Sequence, residues 1–183
     1  PCDQLVAWAA EGHHRRGGAV PLGGRVPSGG GVGGGPAHSE NVEAWCHHHA
    51  GLKIVCRATA ADAYGLLRAA IQDPNPVVFC EHKFLYRREK GEVATGTDGL
   101  VGTIGEAQVV RPGDDLSIIT YASTMRPSLS VADTLAAEGT SAEVVHPRTL
   151  LPPHVHPIPA PARNTGTPTL RPEANPTPAL HAP

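Results

Sequence analysis

Aromatic side chains are scarce in this sequence, at 4% of residues, so packing cannot be built around rings and must come from local aliphatic runs. No apolar stretch reaches the roughly 18 residues of a membrane span, and no basic segment followed by an apolar one stands at the N-terminus. The sequence therefore reads as soluble, with no secretory signal. A strong charge of either sign is also missing: 15 Lys+Arg against 17 Asp+Glu leave a formal charge of -2. Nothing in that balance attracts nucleic acid or an anionic membrane, and neither is expected as a partner. No C-x-x-C pair is present. Cys2, Cys46, Cys56 and Cys80 lie far apart, which favours reduced, partly buried thiols over a disulfide framework or a zinc site.

What is abundant is glycine (21 residues) and proline (19), so the regular structure must be sought in segments. The clearest runs from Leu52 to Glu81. A short apolar run, Leu52 to Cys56, precedes a helical pattern in which Ala63, Leu66, Leu67, Ala70 and Ile71 form one stripe. Thr59, three residues before Asp62, resembles a capping arrangement. Asp73-Pro74-Asn75-Pro76 stops the helix, and Val77 to Cys80 reads as a buried strand. The unit is β-α-β, hence parallel and right-handed.

A second unit follows a glycine-containing linker. Leu116 to Tyr121 reads as a strand, Leu129, Ala132, Leu135 and Ala136 mark a helix ended by Gly139, and Ala142 to Val145 is a further strand. The organisation expected is an α/β domain at 1–88, a linker at 89–105, a second α/β domain at 106–151 and a proline-rich, disordered tail at 152–183. Asp3 to Ala10 reads as the middle of a helix and Pro1 is not an initiator methionine, which predicts an upstream piece.

Several polar motifs carry more than one reading. The glycine-rich stretch Ser28 to Gly35, between a strand-like Ala19 to Leu22 and a helix capped by Ser39, matches neither a phosphate-binding loop nor a dinucleotide fingerprint. It is either a flexible loop or a place of close backbone approach. His47-His48-His49 point in different directions and suit a solvated helix end better than a metal site. His38 stands at the loop-to-helix junction, where a proton-transferring imidazole would be displayed, although a structural histidine fits the same place. Asp73-x-Asn75 follows a helix C-terminus, where carbonyls could face a cation or simply close an Asp/Asn/Pro turn.

Read together, Val20 to Trp45 (VPLGGRVPSGGGVGGGPAHSENVEAW), Gly51 to Val55 (GLKIV), Ala61 to Arg87 (ADAYGLLRAAIQDPNPVVFCEHKFLYR) and Ser141 to Pro152 (SAEVVHPRTLLP) resemble the β subunit of the decarboxylating component of thiamine-diphosphate-dependent 2-oxo acid dehydrogenases, of the pyruvate or branched-chain type. The resemblance covers roughly Asp3 to Pro152. It implies the C-terminal half of a parallel-sheet, pyrimidine-type thiamine-binding domain followed by the start of a transketolase C-terminal-like domain. It also implies oxidative decarboxylation of a branched-chain 2-oxo acid or pyruvate, with acyl transfer to a lipoyl group.

The implied partners are an α subunit, in an α2β2 assembly, and the lipoyl-bearing acyltransferase component. The implied compartment is the cytoplasm, or the mitochondrial matrix in a eukaryote. Thiamine diphosphate would be shared with the α subunit, which holds its Mg2+. By motif, His38 in AHSE matches the family's active-site histidine, and Leu22, Ala70, Ile71, Asp73 and Asn75 match positions that bind a structural potassium ion, mostly through main-chain oxygens.

Departures accompany the likeness. The glutamate that activates the cofactor ring lies upstream in the family, leaving the cofactor contacts of this chain unknown. Glu40 replaces a usual glutamine, Arg57 a proline, and His146-Pro147 an aspartate-leucine pair, where proline should damage the strand. These features predict a partial or error-containing reading frame, inactive alone. Two alternatives stay open: a transketolase-like thiamine enzyme, and a non-catalytic assembly module or decayed gene product.

Overall fold

A computed structural model of the chain describes residues 3–93 and 102–152, and the backbone of 168–171. The first sheet has the order β1-β3-β2-β7, from strands β1 (Gly23–Ser28), β2 (Lys53–Cys56), β3 (Val77–His82) and β7 (Thr149–Leu151). β1 and β2 both run parallel to β3, and β7 is antiparallel to β2. The second sheet has the order β4-β6-β5-β8, from β4 (Gln108–Arg111), β5 (Leu116–Thr120), β6 (Ala142–His146) and β8 (Pro168–Arg171). Here β5, β6 and β8 are parallel and β4 is antiparallel. Each parallel sheet thus carries one antiparallel edge strand.

Three helices are short, α1 (Glu11–Arg16), α2 (Glu43–Cys46) and α4 (Leu85–Arg88). Helix α3 (Ala60–Gln72) links β2 to β3 and begins with a full capping box: the Thr59 hydroxyl accepts from the Asp62 amide, and the Asp62 carboxylate accepts from the Thr59 amide. It ends at Asp73, which is extended ahead of Pro74. Its buried face is Asp62, Gly65, Leu66, Ala69 and Ala70, so the expected stripe is rotated and Ile71 stands 69% exposed. Helix α5 (Met125–Ala137) makes the same link between β5 and β6, and Gly139 follows it at φ 86°.

β3 is buried along its whole length, because both of its faces are covered. Val77 and Phe79 pack with Val55, Leu66 and Ala70 under α3. Val78 and Cys80 pack with Ile54, Cys56, Ala10 and Cys46, and also with Tyr121, Ala122 and Leu150 from the second unit. A two-sided strand reads as an unbroken apolar run, which is why Val77 to Cys80 was recognisable. Truncating Phe79 or Leu66 in this core would cost about 2–5 kcal/mol. The second core gathers Ile118, Met125, Ala132, Ala142 and Val144 around Ala58 of the first unit.

Three expectations need correction. The strand expected at Ala19 to Leu22 lies at Gly23–Ser28, and the Leu22 carbonyl instead accepts the Val77 amide as the ladder begins. Pro27 is tolerated because β1 is an edge strand. Pro147 does not damage a strand: β6 ends at His146, and Pro147 and Arg148 form the turn into β7. Within the tail at 152–183, Pro168–Arg171 is β8, paired with Ser117 to Thr120. Proline at the first position of that strand withholds no amide from the sheet's interior.

Residues 153–167 and 172–183 of that tail, residues 94–101 of the linker, and Cys2 lie outside the described residues. Cys46, Cys56 and Cys80 are buried and form no disulfide among the described residues. Among the described residues no helix is long and apolar enough to cross a membrane.

Candidate functional site

Ser28 and His82 are register partners at the carboxyl ends of β1 and β3, with Cys56 ending β2 beside them. Open α/β sheets bind ligands at this edge. The chain leaves β1 into the glycine loop there and returns through Glu43. The base of the loop is closed twice: the Gly29 amide donates to the Glu40 carbonyl at 2.9 Å, and the Ser28 hydroxyl donates to Glu43 Oε2 at 2.6 Å. Asn41 Nδ2 donates to Glu43 Oε1 at 3.1 Å. Glu43 is a buried carboxylate whose two oxygens both have partners, the condition under which a charge can sit inside a fold.

Gly29, at φ 76°, lies directly over the His82 imidazole, where a Cβ would overlap the ring. Gly31 lies over the Phe84 ring. The loop is therefore seated on β3 and its exit, which decides the earlier alternative in favour of close backbone approach.

His38 ends a single 3-10 turn, Pro36–His38, at the outer part of this loop. Its amide donates to the Gly35 carbonyl at 3.2 Å, its side chain is exposed, and among the described residues its imidazole makes no hydrogen bond or ion pair. Ser39 does not cap a helix. Its hydroxyl donates back to the Gly35 carbonyl at 2.8 Å, and helix α2 (Glu43–Cys46) starts four residues later. His47 to His49 close that short helix, and burial followed by the neighbouring charge of His48 lowers the pKa of His47.

The residues singled out for a cation gather at the other end of the sheet. A Cβ on Gly23 would stand 3.8 Å from the Ala70 carbonyl, so Leu22 reaches the C-terminal turn of α3 that contains Ala70 and Ile71. The last carbonyls of a helix have no partner within it. The Asp73 carboxylate is engaged: Oδ1 accepts the Asn75 amide at 2.9 Å and Oδ2 accepts Lys53 Nζ at 2.6 Å. An ion held here would therefore rest on main-chain oxygens.

Two further charged groups were not foreseen. Arg25 Nε and Nη2 each donate to Glu81 at 3.0 Å, and the Tyr86 hydroxyl donates to Glu81 Oε2 at 2.7 Å. Burial, then the Glu81 carboxylate, push the Tyr86 phenol up to about 12. The second group joins Asp62, His146 and Arg148 across the two units. The signal available for the first was a polar pair, Glu81-His82, continuing an apolar strand. For Glu43 it was a serine and a glutamate flanking the glycine loop.

Residues 7–89 match the transketolase pyrimidine-binding domain family, and residues 105–182 match the transketolase C-terminal domain family. The chain belongs to the family of proteins that carry these two domains in succession. Within it, the chain is 41% identical over 154 residues to the pyruvate dehydrogenase E1 component subunit beta, mitochondrial, of Caenorhabditis elegans, covering 82% of this chain and 44% of the relative.

It is 42% identical over 152 residues to the 2-oxoisovalerate dehydrogenase subunit beta of Bacillus subtilis, with 82% and 46% covered. It is 40% identical over 176 residues to the acetoin:2,6-dichlorophenolindophenol oxidoreductase subunit beta of Cupriavidus necator, with 95% and 51% covered. Its homologues are thus β subunits of 2-oxo acid dehydrogenases and a related oxidoreductase, and the chain spans about half the length of these curated relatives. The fold is also that of a split-gene transketolase, an inactive β4 tetramer, at a TM-score of 0.62 and 21% identity over 90% of this chain and 53% of that one.

Proposed function

We propose that the chain supplies the β-type part of a thiamine-diphosphate-dependent 2-oxo acid dehydrogenase, acting on a branched-chain 2-oxo acid or pyruvate and passing the acyl group to a lipoyl arm. The observation that carries this reading is the loop from Ser28 to Glu43, closed at its base and seated on β3, which holds an exposed His38 at the carboxyl edge of a parallel sheet. An imidazole at such an edge can give a proton to, or take one from, a group presented from solvent. That suits a reaction whose second substrate arrives on an arm from another protein.

Bound thiamine diphosphate supplies the electron sink that lets carbon dioxide leave a 2-oxo acid. The described carboxylates at this sheet edge do not fit the role of activating its ring. Glu43 is committed to Ser28 and Asn41, and Glu81 to Arg25 and Tyr86. The cofactor is accordingly proposed to be held between this chain and an α subunit that carries its Mg2+, in an α2β2 assembly that docks the acyltransferase component. The domain limits 1–88 and 106–151 belong to the same proposal, supported by the matched spans 7–89 and 105–182. So does a cytoplasmic or mitochondrial-matrix location, in keeping with the mitochondrial nematode relative.

Potassium is proposed at the carbonyls of Leu22, Ala70 and Ile71 with Asp73 and Asn75 around them. Hard oxygen donors at a helix C-terminus suit a monovalent cation. Replacing choline chloride by potassium chloride at equal ionic strength should raise the thermal midpoint, and an unchanged midpoint rejects the ion.

The experiment for the activity is co-expression with the α subunit of a 2-oxoisovalerate dehydrogenase. A stable complex that releases carbon dioxide from 3-methyl-2-oxobutanoate only with thiamine diphosphate supports the reading. Absence of both complex and turnover, with pyruvate also inert, rejects it. In an active complex His38→Ala should lower lipoyl acylation by about 10²–10⁴-fold, and unchanged acylation removes His38 from the mechanism.

A further inference from the structure

Successive residues of a strand point to opposite faces, and β3 ends Glu81-His82. His82 supports the glycine loop, while Glu81 faces a separate cleft on the α3 side that the dehydrogenase reading leaves unused. The cleft has a volume of about 550 Å³, and Leu67 and Ile71 of α3 and Leu85 give it an apolar wall. That size falls within the range of small-molecule sites, ~300–1,000 Å³.

Three guanidinium groups line it: Arg25, Arg57 and Arg68. Arg25 is held by both oxygens of Glu81, and Arg68 Nη1 donates to the Tyr64 hydroxyl at 2.9 Å. The other carboxylate of the cleft, Glu89, accepts from Arg126 Nε at 2.8 Å. Arg57 differs from its neighbours. It is only 5% exposed, its guanidinium carbon sits 5.2 Å from the centroid of the Tyr86 ring, and among the described residues it makes no hydrogen bond and no ion pair.

Burying a cation without a counter-charge is costly, and a ring face offsets only part of that cost. A guanidinium so placed presents a fork of N–H donors to whatever enters the cleft, and that fork matches the two oxygens of a carboxylate. The adjoining aliphatic wall suits a short hydrocarbon stem. Arg57 is also the residue that departs from the proline expected by resemblance, so this feature belongs to the present chain.

We infer that the cleft between α3 and the end of β3 binds a small organic anion, a carboxylate on a short apolar stem, anchored by Arg57 against Tyr86. The anion supplies the counter-charge that the described part of the fold does not give Arg57. Arg25 and Arg68 add a positive field without being released from their own partners.

Titrating the 183-residue chain with hexanoate, hexanamide and inorganic phosphate by calorimetry tests this. Hexanoate should bind saturably at one site, with hexanamide and phosphate each at least about tenfold weaker because one lacks the charge and the other the stem. Arg57→Ala should weaken hexanoate by at least about tenfold, and Arg57→Lys by less, since charge remains without the planar fork. Equal binding of hexanoate and hexanamide overturns the inference. So does phosphate binding more tightly than hexanoate, or a folded Arg57→Ala chain that titrates like the parent. Should Arg57→Ala fail to fold, the comparison of hexanoate with hexanamide on the unaltered chain decides alone.

Discussion

The Nδ1 atom of His146 lies 3.4 Å from Oδ2 of Asp62, joining the end of β6 in one sheet to the first turn of α3 beside the other. Arg148 Nη1 approaches the opposite oxygen at 3.9 Å. Burial pushes the Asp62 carboxyl up, but the His146 contact and charge and the Thr59 bonds outweigh it, holding the carboxyl below the ordinary 3.8. A carboxyl with a lowered folded pKa contributes stability above its unfolded value and loses it as pH falls through the folded one. Urea midpoints should therefore drop as pH falls below about 4. Asp62→Asn should lose ~1–3 kcal/mol already at pH 7 and show a flatter acid limb.

Glu43 governs the base of the loop that bears His38. Glu43→Ala leaves the buried Ser28 hydroxyl without its acceptor and should cost about 1.5–3 kcal/mol in denaturant unfolding. Limited proteolysis should cut between Gly29 and Asn41 faster than in the parent, whereas Glu40→Ala, which keeps its backbone carbonyl for Gly29, should leave the cutting rate unchanged.

Two glycines of the same loop should separate sterics from backbone conformation. Gly29 and Gly33 share a left-handed φ, 76° and 75°, but a Cβ at Gly33 meets open space while one at Gly29 overlaps the His82 ring. Gly33→Ala should cost about 1–2 kcal/mol. Gly29→Ala should add a further ~1–3 kcal/mol of overpacking, visible as a lower thermal midpoint.

Tyr86 offers a spectroscopic check. With its phenol near 12, its ultraviolet titration should be delayed beyond that of an ordinary tyrosine by burial and by Glu81. Glu81→Gln should move that ionisation to lower pH while leaving the contribution of burial in place. Arg57→Ala should move it higher, because the positive charge favours the phenolate.

Both β-α-β units were legible because each signal was local. Thr59 and Asp62 are three residues apart, and Val77 to Cys80 is one buried run. Ile71 was misassigned to the core because the stripe was built from apolar residues alone, whereas a polar residue, Asp62, occupies its buried edge. β1 was displaced because Gly23 and Gly24 have no strand preference and gain their place by pairing with Val77 and Val78, 54 residues away. β7 and β8 were invisible for the same reason, being three and four residues long and defined by distant partners.

At the site, His38 was visible as a residue type at a junction, while Glu43, His82 and Arg57 acquire meaning only from what surrounds them. A buried guanidinium and an exposed one are written with the same letter.

The turn Pro147-Arg148 carries the chain from β6 of the second sheet straight into β7 of the first, where the Arg148 carbonyl takes the Cys56 amide at 2.8 Å. A strand from the far half is thus stitched into the near half, and Leu150 lies in the core that holds Ile54 and Val78. A single cut of the backbone between Val93 and Gly102 would then give two pieces that remain clasped, migrate together, and part only when denatured. Separately expressed pieces broken at that point should find one another in solution and restore the same far-ultraviolet spectrum.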